Sequence, residues 1–161
     1  MSSPSLRSAA KNVTAMAAGG AAVYHAGYAI GTSFDAVAEA SRRFANVLKA
    51  DGLARGDRVA VFLSQSLELP IAHLAAFRSG MISIPLFALF GEDALEFRLS
   101  NSEAKAIVTD ESGWEKLAKI RDRLPALKNV YIIGGKAPAG TKSFWSSLQA
   151  ASPDFTTVDT S

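Results

Sequence analysis

GDRVAVFLSQSLELPIAHLAAFRSGMISIPLFALFGEDALEFRLSNSEAKAIVTD, residues Gly56 to Asp110, alternates short apolar runs with amphipathic segments. The order is strand, helix, strand, helix, strand, the pattern of a parallel sheet with helices packed across it. Val59-Ala60-Val61-Phe62-Leu63 is apolar at every position, so it is read as a strand buried on both faces. A strand of that kind needs a helical layer on each side of its sheet. The expected fold is therefore α/β, a mostly parallel doubly wound sheet flanked by helices.

Working outward, Arg58 to Leu63, Met81 to Leu86, Lys105 to Thr109 and Asn129 to Ile133 are predicted strands. Between them, a helix capped by Ser66 and ended by Gly80 should bury Leu69, Ala72, His73 or Leu74, and Phe77, and expose Glu68 and Arg78. Further helices are expected over Asp93 to Ser100 and Gly113 to Leu124. Pro85 lacks the N–H that a central ladder uses, so it is placed at the carboxyl end of its strand. Upstream, Ser33 can cap a helix whose apolar face is Val37, Ala40, Phe44, Val47 and Leu48, with Gly52 as its terminator. The segment 1–20 is read as an N-terminal helix over Ser5 to Ala18, and Ala22–Tyr24 with Tyr28–Ile30 as a small antiparallel ribbon. Residues 21–135 form the expected α/β unit, and 136–161 a connector with a brief helical stretch around Phe144 to Ala150 and a polar tail.

Composition narrows the function classes. The 161 residues are 48% hydrophobic and 20% charged, as expected of a globular chain of about one domain. A formal net charge of +2, with no basic run interleaved with aromatics, gives no footprint for nucleic acid. With no cysteine, there is no disulfide frame, thiol nucleophile or thiolate metal site, and a cytoplasmic location is expected. No window approaches the ~20 apolar residues of a membrane span, and no signal-peptide core is apparent.

Motifs that could carry chemistry are few. Gly135 to Ser143 follows a strand as a phosphate-binding loop would, but Thr141 separates Gly140 from Lys142 and Pro138 removes a donor, so a connector is the favoured reading. His25 and His73 have no ligand-spaced partners for a metal. Asp110-Glu111 follows a strand end, where a metal or ribose could in principle be held, and capping the next helix is the commoner use of such residues. Trp114, Phe144 and Trp145 lack the basic surround of a base-stacking surface and are read as packing residues. Phe87-Ala88-Leu89-Phe90-Gly91 is an apolar loop where a polar one is usual.

The runs SFDAVAEASRRFANVLKADGLARGDRVAVFL (33–63) and SLELPIAHLAAFRSGMISIPLFALFGEDALEFRLSNSEAKAIVTD (66–110) resemble, in order and spacing, the N-terminal region of the adenylate-forming acyl-CoA synthetase family. The resemblance spans about residues 22 to 161, and the FALFGEDALEFRL wording is nearest to members that activate acetate or other short and medium acids. It implies a reaction in which a carboxylic acid and ATP with magnesium give an acyl-adenylate and pyrophosphate, after which CoA attacks the acyl carbon. The family's Ser/Thr/Gly-rich phosphate loop, acidic magnesium ligand, ribose-binding aspartate and catalytic lysine have no counterpart in residues 1–161. The closing SPDFTTVDTS resembles the approach to that phosphate loop.

On this reading the chain by itself is inactive and the missing C-terminal part of the synthetase is its partner. ATP, Mg and CoA are implied for the full-length family, with none assigned to this chain. The one site the resemblance offers is Phe87, Ala88 and Leu89, which stand where relatives carry a Phe-Gly-Gly stretch bordering the pantetheine tunnel of CoA. Alanine and leucine replace the glycines, which narrows any close backbone approach. Lys116 and Lys119 are the loose candidates for the basic residues that hold CoA phosphates. Simple packing of an apolar loop is the alternative. At the level of the chain, the competing readings are a stand-alone interaction or dimerisation module, with self-association through exposed apolar surface, and a flavodoxin-like nucleotide binder. The latter is weakened by Ser64-Gln65-Ser66 in place of a glycine-rich loop.

Overall fold

The computed structural model describes residues 34–160. The N-terminal helix, the ribbon and the Ser33 cap predicted from sequence lie outside these residues. In chain order the elements are α1 (Phe34–Ala50), β1 (Arg58–Phe62), α2 (Glu68–Arg78), β2 (Ile82–Leu86), α3 (Glu92–Ser102), β3 (Ala106–Thr109), α4 (Glu111–Ile120) with a 3-10 turn (Arg121–Arg123), β4 (Asn129–Ile132), β5 (Lys142–Ser143) and α5 (Phe144–Ala150). The strands form one sheet in the order β2-β1-β3-β4-β5, every neighbouring pair parallel.

The two-sided burial expected of β1 is observed, and β3 and β4 share it. Val59, Val61, Ala106, Val108 and Tyr131 point to one face, where Phe44 and Leu48 of α1, Ile71 and Ala75 of α2, and Phe144 and Leu148 of α5 cover them. Ala60, Phe62, Ile107, Val130 and Ile132 point to the other, under Leu95 and Leu99 of α3 and Leu117 and Ile120 of α4. Alternation along each strand thus feeds two cores, and each core has its own helical layer. Phe44 anchors the first, its ring 5.1 Å from that of Tyr131 and 4.7 Å from that of Phe144. Aromatic pairs at such separations contribute about 0.5–1.5 kcal/mol each beyond their buried area.

Several local expectations are corrected. Ser66 does not cap α2: the N-cap position is Leu67, without a side-chain bond, and the Ser66 hydroxyl oxygen is buried without a hydrogen-bond partner. Glu68 is buried rather than exposed, and its carboxylate accepts from the Trp145 indole at 2.8 Å. The buried face of α2 is Glu68, Ile71, Ala72, Ala75 and Ala76, while Phe77 is 57% exposed and Leu74 also reaches solvent. Small residues let α2 lie close to the sheet and α1, and the larger side chains flank that contact. His73 sits at the core edge, Nδ1 2.6 Å from the Ser83 hydroxyl, and burial lowers its pKa.

Pro85 is inside β2, paired with Val61. β2 is the edge strand, and Ile82 N–H donates to the Asp57 carbonyl, so alternation turns the nitrogen of Pro85 outward. The proline therefore costs no ladder bond. α4 begins at Glu111 rather than Gly113, because Asp110 caps it by accepting the Gly113 N–H at 2.7 Å. Its α-helical part ends at Ile120.

The segment after Gly140 adds the short strand β5, which the sequence pattern does not signal. The polar tail that follows lies against α1 and α2. Arg42 donates to the Pro153 carbonyl, Arg43 to that of Ala151, Asn46 to those of Ser152 and Asp154, and Arg55 to that of Asp159. One main-chain bond, Val158 N–H to the Arg78 carbonyl at 2.8 Å, completes the strap.

α4 starts in close contact with β1 and β3. Thr109 Oγ1 donates to the Phe62 carbonyl at 2.9 Å, and a Cβ placed on the buried Gly113 would fall 1.9 Å from Thr109 Oγ1 and 2.9 Å from the Phe62 ring. Gly113→Ala is expected to destabilise the chain by about 3 kcal/mol or more. Gly91→Ala, where a Cβ meets nothing within 4 Å, is expected to stay within about 0.5 kcal/mol of the parent. Urea unfolding of the two variants checks the contrast.

Candidate functional site

In a doubly wound sheet the chain runs outward from its first strand, then returns to start in the other direction, and ligands gather beyond the strand carboxyl ends. Here the reversal lies between β1 and β3. That position is filled by protein, since Gly113 abuts Phe62 and Thr109, and the Asp110 carboxylate is committed to the α4 N-terminus. The cap reading of Asp110 thus holds. Glu111 lies over Gly135, where an added Cβ would come within 2.1 Å of its carboxylate. Among the described residues no group of three or more His, Cys, Asp or Glu side chains is placed to hold a metal ion.

The carboxyl end of the edge strand differs. β2 ends at Leu86, whose side chain enters the second core, and Phe87 to Gly91 then loop to the start of α3. Phe90 N–H closes a turn onto the Phe87 carbonyl at 2.9 Å, and the two rings meet edge to face at 5.9 Å. Phe87 is 62% exposed and Leu89 78%, whereas Ala88 and Phe90 are partly covered. Exposed aromatic and aliphatic side chains adjoining each other are unusual on a loop and mark a contact surface more often than a core.

Cations surround the loop. The Arg98 guanidinium lies 4.5 Å from the centroid of Phe90, within cation–π range. Lys116 Nζ donates to the Ala88 carbonyl at 3.2 Å and to the Phe90 carbonyl at 3.1 Å, and stands 5.6 Å from the Phe62 ring centroid. Lys119 Nζ bonds the Glu92 carboxylate at 2.6 Å, which raises its pKa. Both lysines read from sequence as loose phosphate candidates are therefore near the loop and engaged by protein groups. Phe87 and Leu89 are presented to solvent. The contacts that hold the loop, from Arg98 and Lys116, were not foreseen: they come from residues 10 and 28 positions after Ala88, with no motif linking them to it.

Several charged groups elsewhere are paired with one another. A basin of ≈ 410 Å³ at the amino end of the strands is lined by Asp51, Arg58, Glu103, Lys105 and Lys128 among others. In it Arg58 pairs with Glu103 at 3.2 Å, and Lys105 with Asp57 at 2.8 Å. Nearby, Lys142 meets Asp51 at 2.7 Å, and the same carboxylate accepts the Tyr131 hydroxyl at 2.5 Å. Burial is the main reason that hydroxyl's pKa is raised. This end serves the fold and lies opposite the apolar loop.

A family model described as "AMP-binding enzyme" matches residues 10–159. The chain belongs to that family. An acetyl-coenzyme A synthetase of Bacillus subtilis is 42% identical over 110 residues, covering 68% of this chain and 19% of its own length. The mitochondrial acyl-coenzyme A synthetase ACSM4 of Rattus norvegicus is 35% identical over 129 residues, covering 80% of this chain and 22% of its own. The chain thus spans about a fifth of these relatives. Among solved structures, an acyl-CoA synthetase of Brucella canis superposes with a TM-score of 0.71 at 34% identity, over 78% of this chain and 23% of that one. An anthranilate CoA ligase, solved with anthranoyl-AMP, matches in fold with a TM-score of 0.76 at 21% identity, over 78% of this chain and 24% of its own. The family and the α/β fold expected from sequence are both established.

The two readings of the loop predict different costs for losing Leu89. If Leu89 were a packing residue, its loss would cost what a core leucine costs. Leu89→Ser is expected to change stability by less than about 0.5 kcal/mol, and Leu95→Ala, fully buried under α3, to cost about 2–5 kcal/mol. Thermal and urea unfolding of both variants provide the check.

Proposed function

We propose that this chain is the opening α/β portion of an AMP-forming acyl-CoA synthetase. It serves as scaffold for the adenylating site and borders the path of the CoA pantetheine arm with Phe87, Ala88 and Leu89. The observation that carries the CoA part is the exposed pair Phe87 and Leu89 on a turn at the carboxyl end of β2. Pantetheine is a long, thin, largely apolar arm with two amides, and such ligands are held by apolar walls with few polar contacts. The loop has that character.

The parent reaction rests on leaving-group activation. A carboxylate resists attack by a thiol, and joining it to AMP supplies a leaving group whose developing charge a polar site stabilises. ATP, magnesium and CoA would supply the adenylate, its charge neutralisation and the attacking thiol. Residues 1–161 hold no Ser/Thr/Gly-rich phosphate loop, so the adenylating step belongs to the rest of the synthetase, which is this chain's proposed partner. The name of the acetyl-coenzyme A synthetase relative supports a short carboxylic acid as substrate.

A second reading is favoured by one observation. Phe77 and Ile82 are 57% and 53% exposed, and among the described residues β2, which carries Ile82, has no strand on its outer side. A surface of that kind supports self-association or a protein partner when the chain stands alone.

Acetate-dependent exchange of labelled pyrophosphate into ATP tests the main reading. The 161-residue chain is expected to give none above background. Exchange by the isolated chain would overturn it. Sedimentation of the same sample addresses the second reading, in which dimer grows with concentration.

A further inference from the structure

Three contacts hold the Phe87–Gly91 loop from outside: two hydrogen bonds from Lys116 and the Arg98 guanidinium over Phe90. A loop whose apolar side chains packed inward would need none of them. The carbonyls that Lys116 takes belong to residues 88 and 90, on either side of Leu89. Drawing both toward one ammonium turns the residue between them away, and Leu89 is accordingly more exposed than Phe87, at 78% against 62%. The stem of Lys116 is partly buried and its ammonium faces the Phe62 ring, so two of its three donors are used on backbone and the cation rests on an aromatic of the second core. Lys116 sits one and a half turns into α4, whose start is fixed by the Gly113–Phe62 contact. The loop is thereby tied to the close contact of α4 with β1 and β3.

We propose that Lys116 is the positioning residue of this loop: its ammonium fixes the turn that presents Phe87 and Leu89, and it is committed to the loop backbone rather than to a ligand phosphate. The positioning role stands on geometry alone. Its consequence for ligand binding rests on the CoA reading given above.

The full chain, as Lys116→Met and Lys116→Arg variants, separates the roles. Amide hydrogen exchange is followed at Phe90, whose N–H closes the turn, and at β1 and β3 as controls. Charge-assisted hydrogen bonds of this type hold a local opening by a factor of about ten or more. Lys116→Met is expected to raise Phe90 exchange by at least about tenfold, with β1 and β3 unchanged, and Lys116→Arg to restore most of the protection because it keeps the charge and the donors. Phe90 exchange unaltered in Lys116→Met, or raised equally in β1 and β3, overturns the proposal.

Titrations with CoA and with pantetheine, which lacks the phosphates, form the second arm. A positioning residue predicts the same fold-loss for both in Lys116→Met. A loss confined to CoA identifies a phosphate ligand and overturns the proposal. If neither compound binds the parent chain, the CoA reading fails, and the exchange arm still decides the role of Lys116.

Discussion

Strands β1, β3 and β4 carry side chains that are apolar on both faces, and their removal from water organises the rest of the molecule. Neither face can be left open, so one layer of helices is set on each, and the chain must cross from one layer to the other after β2. That crossing places β2 at the sheet edge and sends the chain around its carboxyl end before α3 begins. The Phe87–Gly91 loop is the visible part of that crossing. Its position follows from the two-faced core as directly as the helices do.

The same constraint explains why the conventional ligand position of a doubly wound sheet is closed here. α4 returns so close to β1 and β3 that only glycine fits at 113, and Thr109 and Phe62 fill the remaining space. With that crevice occupied, the features available for contact lie at the edge: an apolar turn held by Lys116 and Arg98, and the exposed flank of Phe77 and Ile82. At the opposite end Arg58, Lys105 and Lys142 pair with Glu103, Asp57 and Asp51 beside the strand starts. The chain thus reads as scaffold over most of its surface and as a candidate contact region at one end.

Much of the fold was legible because buried strands leave an unmistakable record. Val59 to Phe62, Ala106 to Thr109 and Asn129 to Ile132 are short, apolar runs bounded by turn residues, and the strands fall within a residue of where that pattern puts them. α2 was harder. Its large side chains suggested a face that the structure turns outward, because alanines at 72, 75 and 76 allow a close approach that periodicity of bulky residues does not reveal. β5 and the strap beyond it were invisible for another reason. They are held by donors about 100 residues earlier, such as Arg42 and Asn46, and by parallel pairing to β4, none of which leaves a local signal. The loop stands out in the sequence as an apolar run where a polar one is usual, its CoA role follows only from the family resemblance, and the lysine that holds it carries no local signal of that contact.

The central claim is that the carboxyl end of β2 is the ligand-facing part of this scaffold, and amide chemical-shift mapping on the labelled chain titrated with pantetheine tests it most directly. The account predicts saturable shifts that cluster at Phe87 to Gly91 and in the first turns of α4, with the amino end of the sheet unmoved. Shifts confined to the amino end or to the 151–160 strap, or no shift at the loop at millimolar pantetheine, would contradict it.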